Sequence, residues 1–268
     1  MNNKRLLKNA ELKAGKYHYV PINNNDLFTF SSTYALSIYP IDAIYTFIPK
    51  NACSTLRYSI AVANGFLEDI NDIGWIHSNN KTFISTQREI ALAKYTFVVL
   101  RCPYTRVASC FLDVIAYRKF IKVNDSKGKR LSINFNEFLL IIKSQIRSDR
   151  NIHWRNQSDF LHYQKYDEYF SLESFSKAID LLDDHGFKVH DTREAIKNDL
   201  SSLKKVNGDF SKIKDVELKK MKNEGIVPSY KSMFGNTEIE LVKDIYSDDI
   251  NLYKSHFGDK DLLFWNLL

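Results

Sequence analysis

Residues 45–60 read YTFIPKNACSTLRYSI, and this stretch decides the class of fold that we expect for the chain. The apolar, β-rich run at residues 43–48 predicts a buried strand, and the pattern of residues 54–63 predicts a helix. The loop between them is short and consists of small and polar residues. A strand, a tight loop and a helix in this order form a common phosphate site, because the first N–H groups of a helix are unpaired and lie at the positive end of its dipole.

Six residues of this loop and of the helix start are candidates for binding an anion. Backbone N–H groups of the loop would surround it, Lys50 would add positive charge, and hydroxyls at the helix start would donate further hydrogen bonds. Small side chains in the loop allow the backbone to approach the anion closely. The candidates are Lys50, Asn51, Ala52, Cys53, Ser54 and Thr55.

The loop contains no glycine, which distinguishes it from the GxxxxGK[ST] loop of the usual nucleotide triphosphatases and kinases. An enzyme of that type is therefore disfavoured. Two other interpretations stay open at this point. The stretch could be an ordinary strand-to-helix turn capped by Ser54, and Cys53 could be either a reactive thiol at a helix start or a small residue that fills a tight loop.

A second stretch, RCPYTRVASCF at residues 101–111, repeats the arrangement. It follows the apolar run YTFVVL at residues 95–100, which predicts another buried strand, and it opens a helix predicted for residues 105–120. Thr105 and Ser109 lie four residues apart on one helix face. Arg101 and Ser109 could hold a second phosphate between them. The alternative is that Arg101 pairs with a carboxylate and that Ser109 is merely buried.

Strands that alternate with helices predict an α/β fold with a mainly parallel sheet, in which ligands bind beyond the carboxyl ends of the strands. A capping box at Thr86 and Glu89 predicts a helix to residue 94, and a second one at Thr237 and Glu240 predicts a helix that runs toward His256. Further helices are predicted at residues 136–146, 172–185 and 213–223, a strand at 187–190 and a turn at 126–129. We expect one domain over residues 1–268, with residues 1–40 as an extension that packs on it.

Composition limits the classes of partner. A formal net charge of +6 suits anionic ligands, but no pattern typical of nucleic-acid binding occurs. Three cysteines without CxxC spacing make a disulfide framework unexpected. The N-terminal segment has a basic start but no apolar region behind it, and no apolar run is long enough to span a bilayer. We therefore expect a cytoplasmic chain, with peripheral contact at a membrane left open, although a lumenal domain without its anchor would look the same.

These motifs together resemble those of the sulfotransferases. The first resembles their 5′-phosphosulfate-binding loop, and the second is similar to their 3′-phosphate-binding motif RxPxxRxxSxF, which the chain matches in full. A third stretch, HWRNQSD at residues 153–159, resembles the HWxPQ segment of carbohydrate sulfotransferases of the HNK-1 and chondroitin 4-O-sulfotransferase group, with Asn156 in place of the usual proline. Less specific similarity continues at residues 166–173 and 245–253, so the resemblance spans about residues 43–257.

The resemblance implies a P-loop-like three-layer α/β/α fold and an enzyme that uses 3′-phosphoadenosine 5′-phosphosulfate as sulfo donor. It implies a carbohydrate hydroxyl, on a glycan or a glycoside, as acceptor, and it requires no metal. By the same resemblance Pro49 belongs to the 5′-phosphosulfate loop, Lys50 contacts the bridging and sulfo oxygens, and residues 51–55 surround the 5′-phosphate. Arg101 and Ser109 would bind the 3′-phosphate.

The reaction also needs a base to take the proton of the acceptor hydroxyl. His77, in what we expect to be a polar loop between the two phosphate motifs, is our first candidate, although it could simply be an exposed loop residue. His153 is the second, although the HW pair could be packing, with Trp154 buried and His153 bonded to a backbone carbonyl. We interpret His162, His185, His190 and His256 as surface or structural residues.

Three other functions remain as alternatives. A P-loop nucleotide kinase or phosphotransferase would require Mg²⁺ and ATP, and the absence of GK[ST] argues against it. A non-catalytic protein that binds polyanions would need a continuous basic face but neither phosphate motif. A degenerate sulfotransferase would bind the donor without a base. The oligomeric state does not follow from the sequence.

Overall fold

The protein was analysed as a computed structural model, which describes residues 12, 21, 24–113, 131–192, 195 and 203–267. The described residues fall into two compact units. The first unit draws on Met1–Leu100 and Gln157–Lys197, and the second on Arg101–Asn156 and Asn198–Leu268. Our expectation of a single domain over residues 1–268 stays a prediction.

A four-stranded sheet forms the centre of the first unit, in the order β1 Ala35–Ile38, β2 Ala43–Thr46, β3 Tyr95–Leu100 and β4 Glu168–Ser171. The pair β1–β2 is antiparallel, while β2–β3 and β3–β4 are parallel. The carboxyl ends of β2, β3 and β4 therefore lie along one edge of the sheet, where α/β folds bind ligands. Helices flank this sheet, and the mixed α/β architecture agrees with the predicted three-layer α/β/α class.

Both faces of the sheet are buried, which explains why β2 and β3 are apolar without alternation. On one face Tyr45 of β2 stacks on Phe97 of β3, with ring centroids 5.2 Å apart. These rings join a core that includes Leu56 and Ile60 from the helix after β2. On the other face Val98 has no exposed surface. Apolar burial on both sides drives the sheet into the interior.

The helices of the described chain are, in order, α1 Asp26–Ser32, α2 Cys53–Ala63, α3 Trp75–Ser78, α4 Gln87–Leu92, α5 Pro103–Cys110, α6 Phe135–Ser144, α7 Phe175–Asp184, α8 Asp215–Asn223, α9 Asn236–Ile245 and α10 Ser247–Phe257. Helices α1 to α4 and α7 belong to the first unit, and the others to the second. The second unit also contains a parallel pair of short strands, β5 Lys204–Val206 and β6 Ile226–Pro228. No helix among these is both long and apolar enough to cross a bilayer.

Several predicted elements are confirmed. Strands β2 and β3 and helix α2 lie where expected, and α2 ends at Asn64 before Gly65, whose φ is +80°. The capping box at Thr86 is formed, because its hydroxyl accepts from Glu89 N and the Glu89 carboxylate accepts from Thr86 N. Gly186 follows the end of α7 with φ +81°, as expected for a residue after a helix C-cap.

Other predictions are wrong. Residues 187–190 form no strand. The apolar side chain of Phe187 is buried because it packs in the core near Phe97, not because the segment pairs with a sheet. The helix expected to run toward His256 is divided into α9 and α10 at Tyr246. The predicted capping box of Thr237 and Glu240 is not formed; Gly235 is the N-cap, and its N–H donates to the carboxylate of Glu238. The helix expected from residue 172 begins with a 3₁₀ turn, so α7 starts at residue 175. The turn at 126–129 and residues 114–120 of the expected long helix lie outside the described residues.

Candidate functional site

The loop after β2 has an unusual backbone for a segment without glycine. Lys50 has φ +74° and Ala52 has φ +54°, both in the left-handed region that L-residues rarely adopt. Helix α2 follows directly, with Ala52 as its N-cap and no side-chain hydrogen bond to its first amides. The predicted cap at Ser54 is therefore wrong, because Ser54 lies inside the helix and Ala52 is its N-cap. The start of α2 has the arrangement that attracts an anion.

The side chain of Asn51 ties this loop to the sheet. It has no exposed surface, and its Nδ2 atom donates to Val99 O at 2.8 Å and to Gln157 Oε1 at 2.6 Å. Its Oδ1 atom is buried without a hydrogen-bond partner. The predicted role of Asn51 concerned its backbone, whereas its side chain acts as an anchor. Gln157 is the glutamine of the HWRNQ motif, and it belongs to the same unit as Asn51.

The hydroxyl and the backbone carbonyl of Thr55 make separate hydrogen bonds. The hydroxyl bonds outside α2, to Thr192 Oγ1 at 2.7 Å, and the carbonyl oxygen accepts from Ser59 Oγ of the same helix at 2.9 Å. Cys53 and Ser54 are half-buried, and Pro49 is buried at the start of the loop. All three cysteines are free thiols, as expected from their number and spacing.

Sequence reasoning missed Arg57, which lies one turn after Cys53 on α2. Its guanidinium bonds to Ile76 O and Asn80 Oδ1 and lies 5.1 Å from the centroid of the Phe47 ring. Burial lowers the pKa of Arg57 from its ordinary value, and the nearby Cys53 and Tyr45 oppose that shift. The i, i+4 spacing from Cys53 was the available signal, but it could not show that Arg57 connects α2 to the segment around α3.

His77 lies in the first unit, as the loop does, but not in the polar loop that we expected. It belongs to the short helix α3 and is exposed, and its carbonyl oxygen accepts from Asn80 Nδ2 at 2.9 Å. In this helix Ile76 is buried and Trp75 packs against the same core, whereas His77 and Ser78 are exposed. His77 stays a candidate base, now on a helix that bonds to Arg57 through Ile76 O.

The second phosphate motif lies in the second unit, at the start of α5. Arg101 is only 8% exposed, and its Nε atom donates to Thr105 Oγ1 at 3.2 Å. Its guanidinium lies against the ring of Tyr230, with Cζ 5.1 Å from the ring centroid. Ser109 is on the same helix and is 5% exposed. The side chain of Arg101 is thus oriented by two neighbours within its own unit.

Arg106, the other arginine of this motif, has a structural role. It is buried, and its guanidinium donates to Arg155 O at 2.8 Å and to Ile152 O at 3.5 Å. Burial lowers the pKa of Arg106, and the carboxylate of Asp249 opposes that shift. The motif therefore contains one arginine beside the expected phosphate position and one that fixes the segment containing His153.

The side chains of the HWRNQ segment bond to residues that precede it in the chain. The ring nitrogen Nδ1 of His153 lies 2.8 Å from Asn151 Oδ1, and His153 is half-buried. Trp154 is buried, as its packing interpretation required, and its Nε1 donates to Gln145 Oε1 at 3.0 Å. Asn156, which replaces the usual proline, accepts from Arg150 Nη1 at 2.8 Å. The replacement is compatible with an ordered segment because the amide is buried and bonded.

The site residues divide between the two units. Lys50, the loop to Thr55 and His77 belong to the first, while Arg101, Ser109 and His153 belong to the second. Among the residues that the structure describes, no group of three or more His, Cys, Asp or Glu side chains could hold a metal ion.

A model of the sulfotransferase family matches residues 41–256. The chain belongs to the sulfotransferase family. The match begins just before β2, includes all three motifs and ends within α10, so it covers most of the chain. No curated protein and no solved structure matches the chain in the same comparisons. As a sulfotransferase, the protein is an enzyme that transfers sulfo groups.

Proposed function

We propose that this sulfotransferase moves the sulfo group of 3′-phosphoadenosine 5′-phosphosulfate to a hydroxyl of a carbohydrate. The observation that carries the proposal is the hydrogen bond of 2.8 Å from Asn51 Nδ2 to Val99 O. It fixes the 5′-phosphosulfate loop to the end of β3, and Arg101, the first residue of the 3′-phosphate motif, follows Val99 by two positions in the chain. Two phosphate motifs at the ends of paired strands suit a nucleotide with phosphates at both ribose positions.

The residues present fit such a donor. The first amides of α2 have no side-chain cap, and the left-handed Lys50 and Ala52 bend the loop around the helix start. Residues 51–55 would hold the 5′-phosphate there. The guanidinium of Arg101, with Ser109, would hold the 3′-phosphate by charge-assisted hydrogen bonds. Pro49 supports the loop from a buried position.

The bound donor supplies an activated sulfo group. In the transfer, the acceptor oxygen forms a bond to sulfur while the bond between sulfur and the 5′-phosphate oxygen breaks. The charge of Lys50 and the positive end of α2 would stabilise the negative charge that develops on that phosphate oxygen. The hydroxyl proton passes to a base, for which His77 is our first candidate and His153 the second. Metal ions have no assigned role in this scheme.

Labelled sulfo transfer from 3′-phosphoadenosine 5′-phosphosulfate to a panel of glycans and simple glycosides tests the proposal. We expect label in at least one carbohydrate with the wild-type chain and none with Lys50→Ala. His77→Ala should abolish transfer while adenosine 3′,5′-bisphosphate still binds. Transfer that survives in His77→Ala would move the base to another residue, with His153→Ala as the next variant. No transfer to any carbohydrate, together with binding of the bisphosphate, would contradict the proposed acceptor class.

A second candidate function, a degenerate sulfotransferase without a base, has one observation in its favour. His77 is exposed on α3, whereas general bases are commonly held in a site that excludes water. The same assay separates the two functions once alcohols and phenols that are not carbohydrates are added to the panel of acceptors. A degenerate protein would bind the bisphosphate and transfer no label to any acceptor.

A further inference from the structure

The guanidinium of Arg101 is held from two directions within the second unit. Its Cζ atom lies 5.1 Å from the centroid of the Tyr230 ring, within the range of about 6 Å over which a guanidinium is attracted to an aromatic face. Its Nε atom donates to Thr105 Oγ1 at 3.2 Å. Thr105 is itself fixed, because its hydroxyl donates to Cys102 O at 3.1 Å. These two contacts constrain the plane of the guanidinium and its rotation within that plane.

Burial strengthens this arrangement. Arg101 is 8% exposed, so little water screens the attraction between its charge and the ring. With the face on Tyr230 and Nε on Thr105, the guanidinium edge that carries the two Nη atoms has a defined direction. That edge is the part of an arginine that binds a phosphate with two parallel hydrogen bonds.

Tyr230 lies in a segment that backbone hydrogen bonds hold on both sides. Tyr230 begins a 3₁₀ helix, Tyr230–Met233, that contacts α5. The residue before it donates from Ser229 N to Val206 O at 2.9 Å, which joins this segment to β5. At the other side, Phe210 N donates to Ser232 O at 2.8 Å. The ring is therefore presented to Arg101 by a framework of backbone hydrogen bonds.

We propose that Tyr230 is a positioning residue for recognition of the donor's 3′-phosphate, because its ring holds Arg101 in the orientation that binds this group. The inference rests on the proposed function and deepens it. It assigns to Tyr230 a part in the choice between nucleotides that carry a 3′-phosphate and nucleotides that lack one. The first case is adenosine 3′,5′-bisphosphate, and the second is adenosine 5′-phosphate.

Calorimetric titration of the full chain with these two nucleotides tests the proposal. The wild type should bind the bisphosphate more tightly than adenosine 5′-phosphate. Tyr230→Leu should lower the affinity for the bisphosphate about five-fold, the loss expected when a partly desolvated cation–π contact is removed. It should leave the affinity for adenosine 5′-phosphate unchanged. Tyr230→Phe, which keeps the ring and removes only the hydroxyl, is the matched control and should behave like the wild type.

A double-mutant cycle protects the test against a general loss of structure. In an Arg101→Ala background the preference for the bisphosphate should already be lost, and Tyr230→Leu should change neither affinity further. Thr105→Val removes the acceptor of Arg101 Nε without touching the ring, and it should weaken the bisphosphate selectively as well. If Tyr230→Leu does not fold, Tyr230→Met, which fills the space with a flexible side chain that has no aromatic face, replaces it in the same titrations with the same expected result.

Three results would overturn the proposal. Equal weakening of both nucleotides in Tyr230→Leu would show that the ring supports the fold or contacts the nucleoside instead. Unchanged affinity for both would show that Arg101 keeps its orientation without the ring. Wild-type protein that binds neither nucleotide would refute the proposed donor itself, and the role of Tyr230 would be lost with it. The last result concerns the wild type and the first two concern only the variant, so the failures are distinguishable.

Discussion

The side-chain amide of Asn51 holds the loop after β2 against the end of β3. It donates to two oxygens, Val99 O and Gln157 Oε1, in a place that water does not reach. Sequence reasoning singled out Asn51 because it lies in a phosphate loop, but the side chain had no assigned partner. Its partners are distant in the chain, and a local pattern does not reveal them. The position requires a donor of two hydrogen bonds, which explains why an amide fits there.

Replacement of Asn51 by aspartate tests this anchor. The carboxylate of Asn51→Asp would face two acceptor oxygens, so we expect the free energy of unfolding at pH 7 to fall by about 3 kcal/mol. The loss should shrink as the pH is lowered, because the buried carboxyl has a raised pKa and its protonated form donates one hydrogen bond. Asn223→Asp, at an exposed position at the end of α8, is the control. Urea unfolding at several pH values measures both; an equal, small loss in the two variants would contradict the anchor.

A second residue-level prediction concerns His162, which is 1% exposed and bonds through Nδ1 to Ser31 Oγ at 2.8 Å. Burial lowers its pKa from 6.5 to about 4. The unfolded chain therefore takes up this proton at a higher pH than the folded chain does. Its contribution to stability is fully present above pH 6.5 and is lost as the pH falls toward 4, by about 3 kcal/mol.

Unfolding free energies between pH 7 and pH 4 measure this effect. His162→Asn should lose less stability over that range than the wild type, because the titrating group is gone. His185→Asn, which removes an exposed histidine, should keep the wild-type dependence on pH. A wild-type slope in His162→Asn would show that this residue is not the source of acid sensitivity.

At the scale of elements, the segment from the end of β3 into helix α5 contains two arginines with different contacts. Arg101 stands at the strand end beside Tyr230, whereas Arg106 donates to the carbonyl oxygens of Arg155 and Ile152. The motif RxPxxRxxSxF therefore places one arginine where we propose that a phosphate binds, and its other arginine supports residues 152–155. The family motif includes both arginines, but the resemblance implied a role in phosphate binding only for Arg101, together with Ser109, and none for Arg106.

Lysine substitutions separate the roles of these two arginines. Arg106→Lys should lower the free energy of unfolding by about 2 kcal/mol, because an ammonium cannot reproduce the forked bonds to two carbonyls. The folded variant should keep its affinity for the bisphosphate. Arg101→Lys should instead weaken the affinity for the bisphosphate while changing the free energy of unfolding little. Urea unfolding combined with calorimetry reads both quantities, and an unchanged unfolding midpoint in Arg106→Lys would refute its structural role.

The elements that could be predicted from sequence are those with a strong local pattern. The apolar runs of β2 and β3, the helix α2 and the capping box at Thr86 are examples. Strand β5 was missed because its lysines are exposed and its pairing with β6 joins distant residues. The strand expected at residues 187–190 was wrong because Phe187 is buried by packing rather than by pairing. The local apolar content of a segment indicates that it is buried, but it does not indicate whether the segment pairs in a sheet or packs against side chains.

At the scale of the whole molecule, the order of three motifs predicted the family, which the match over residues 41–256 shows. The positions of the candidate phosphate residues followed from the same motifs. The contacts that orient them did not, because Thr192, Gln157 and Tyr230 lie far from their partners in the chain. The bent backbone of the loop was also unforeseen, since alanine and lysine give no signal for a positive φ.

The central claim is that the protein binds a nucleotide with phosphates at both the 3′ and 5′ positions, and a thermal-shift titration tests it most directly. The full chain is titrated with adenosine 3′,5′-bisphosphate and, separately, with ATP and Mg²⁺. A ligand at 100 times its dissociation constant stabilises the folded chain by about 2.7 kcal/mol. We predict that the bisphosphate raises the unfolding midpoint and that ATP with Mg²⁺ does not. A rise with ATP and Mg²⁺, and none with the bisphosphate, would contradict the account.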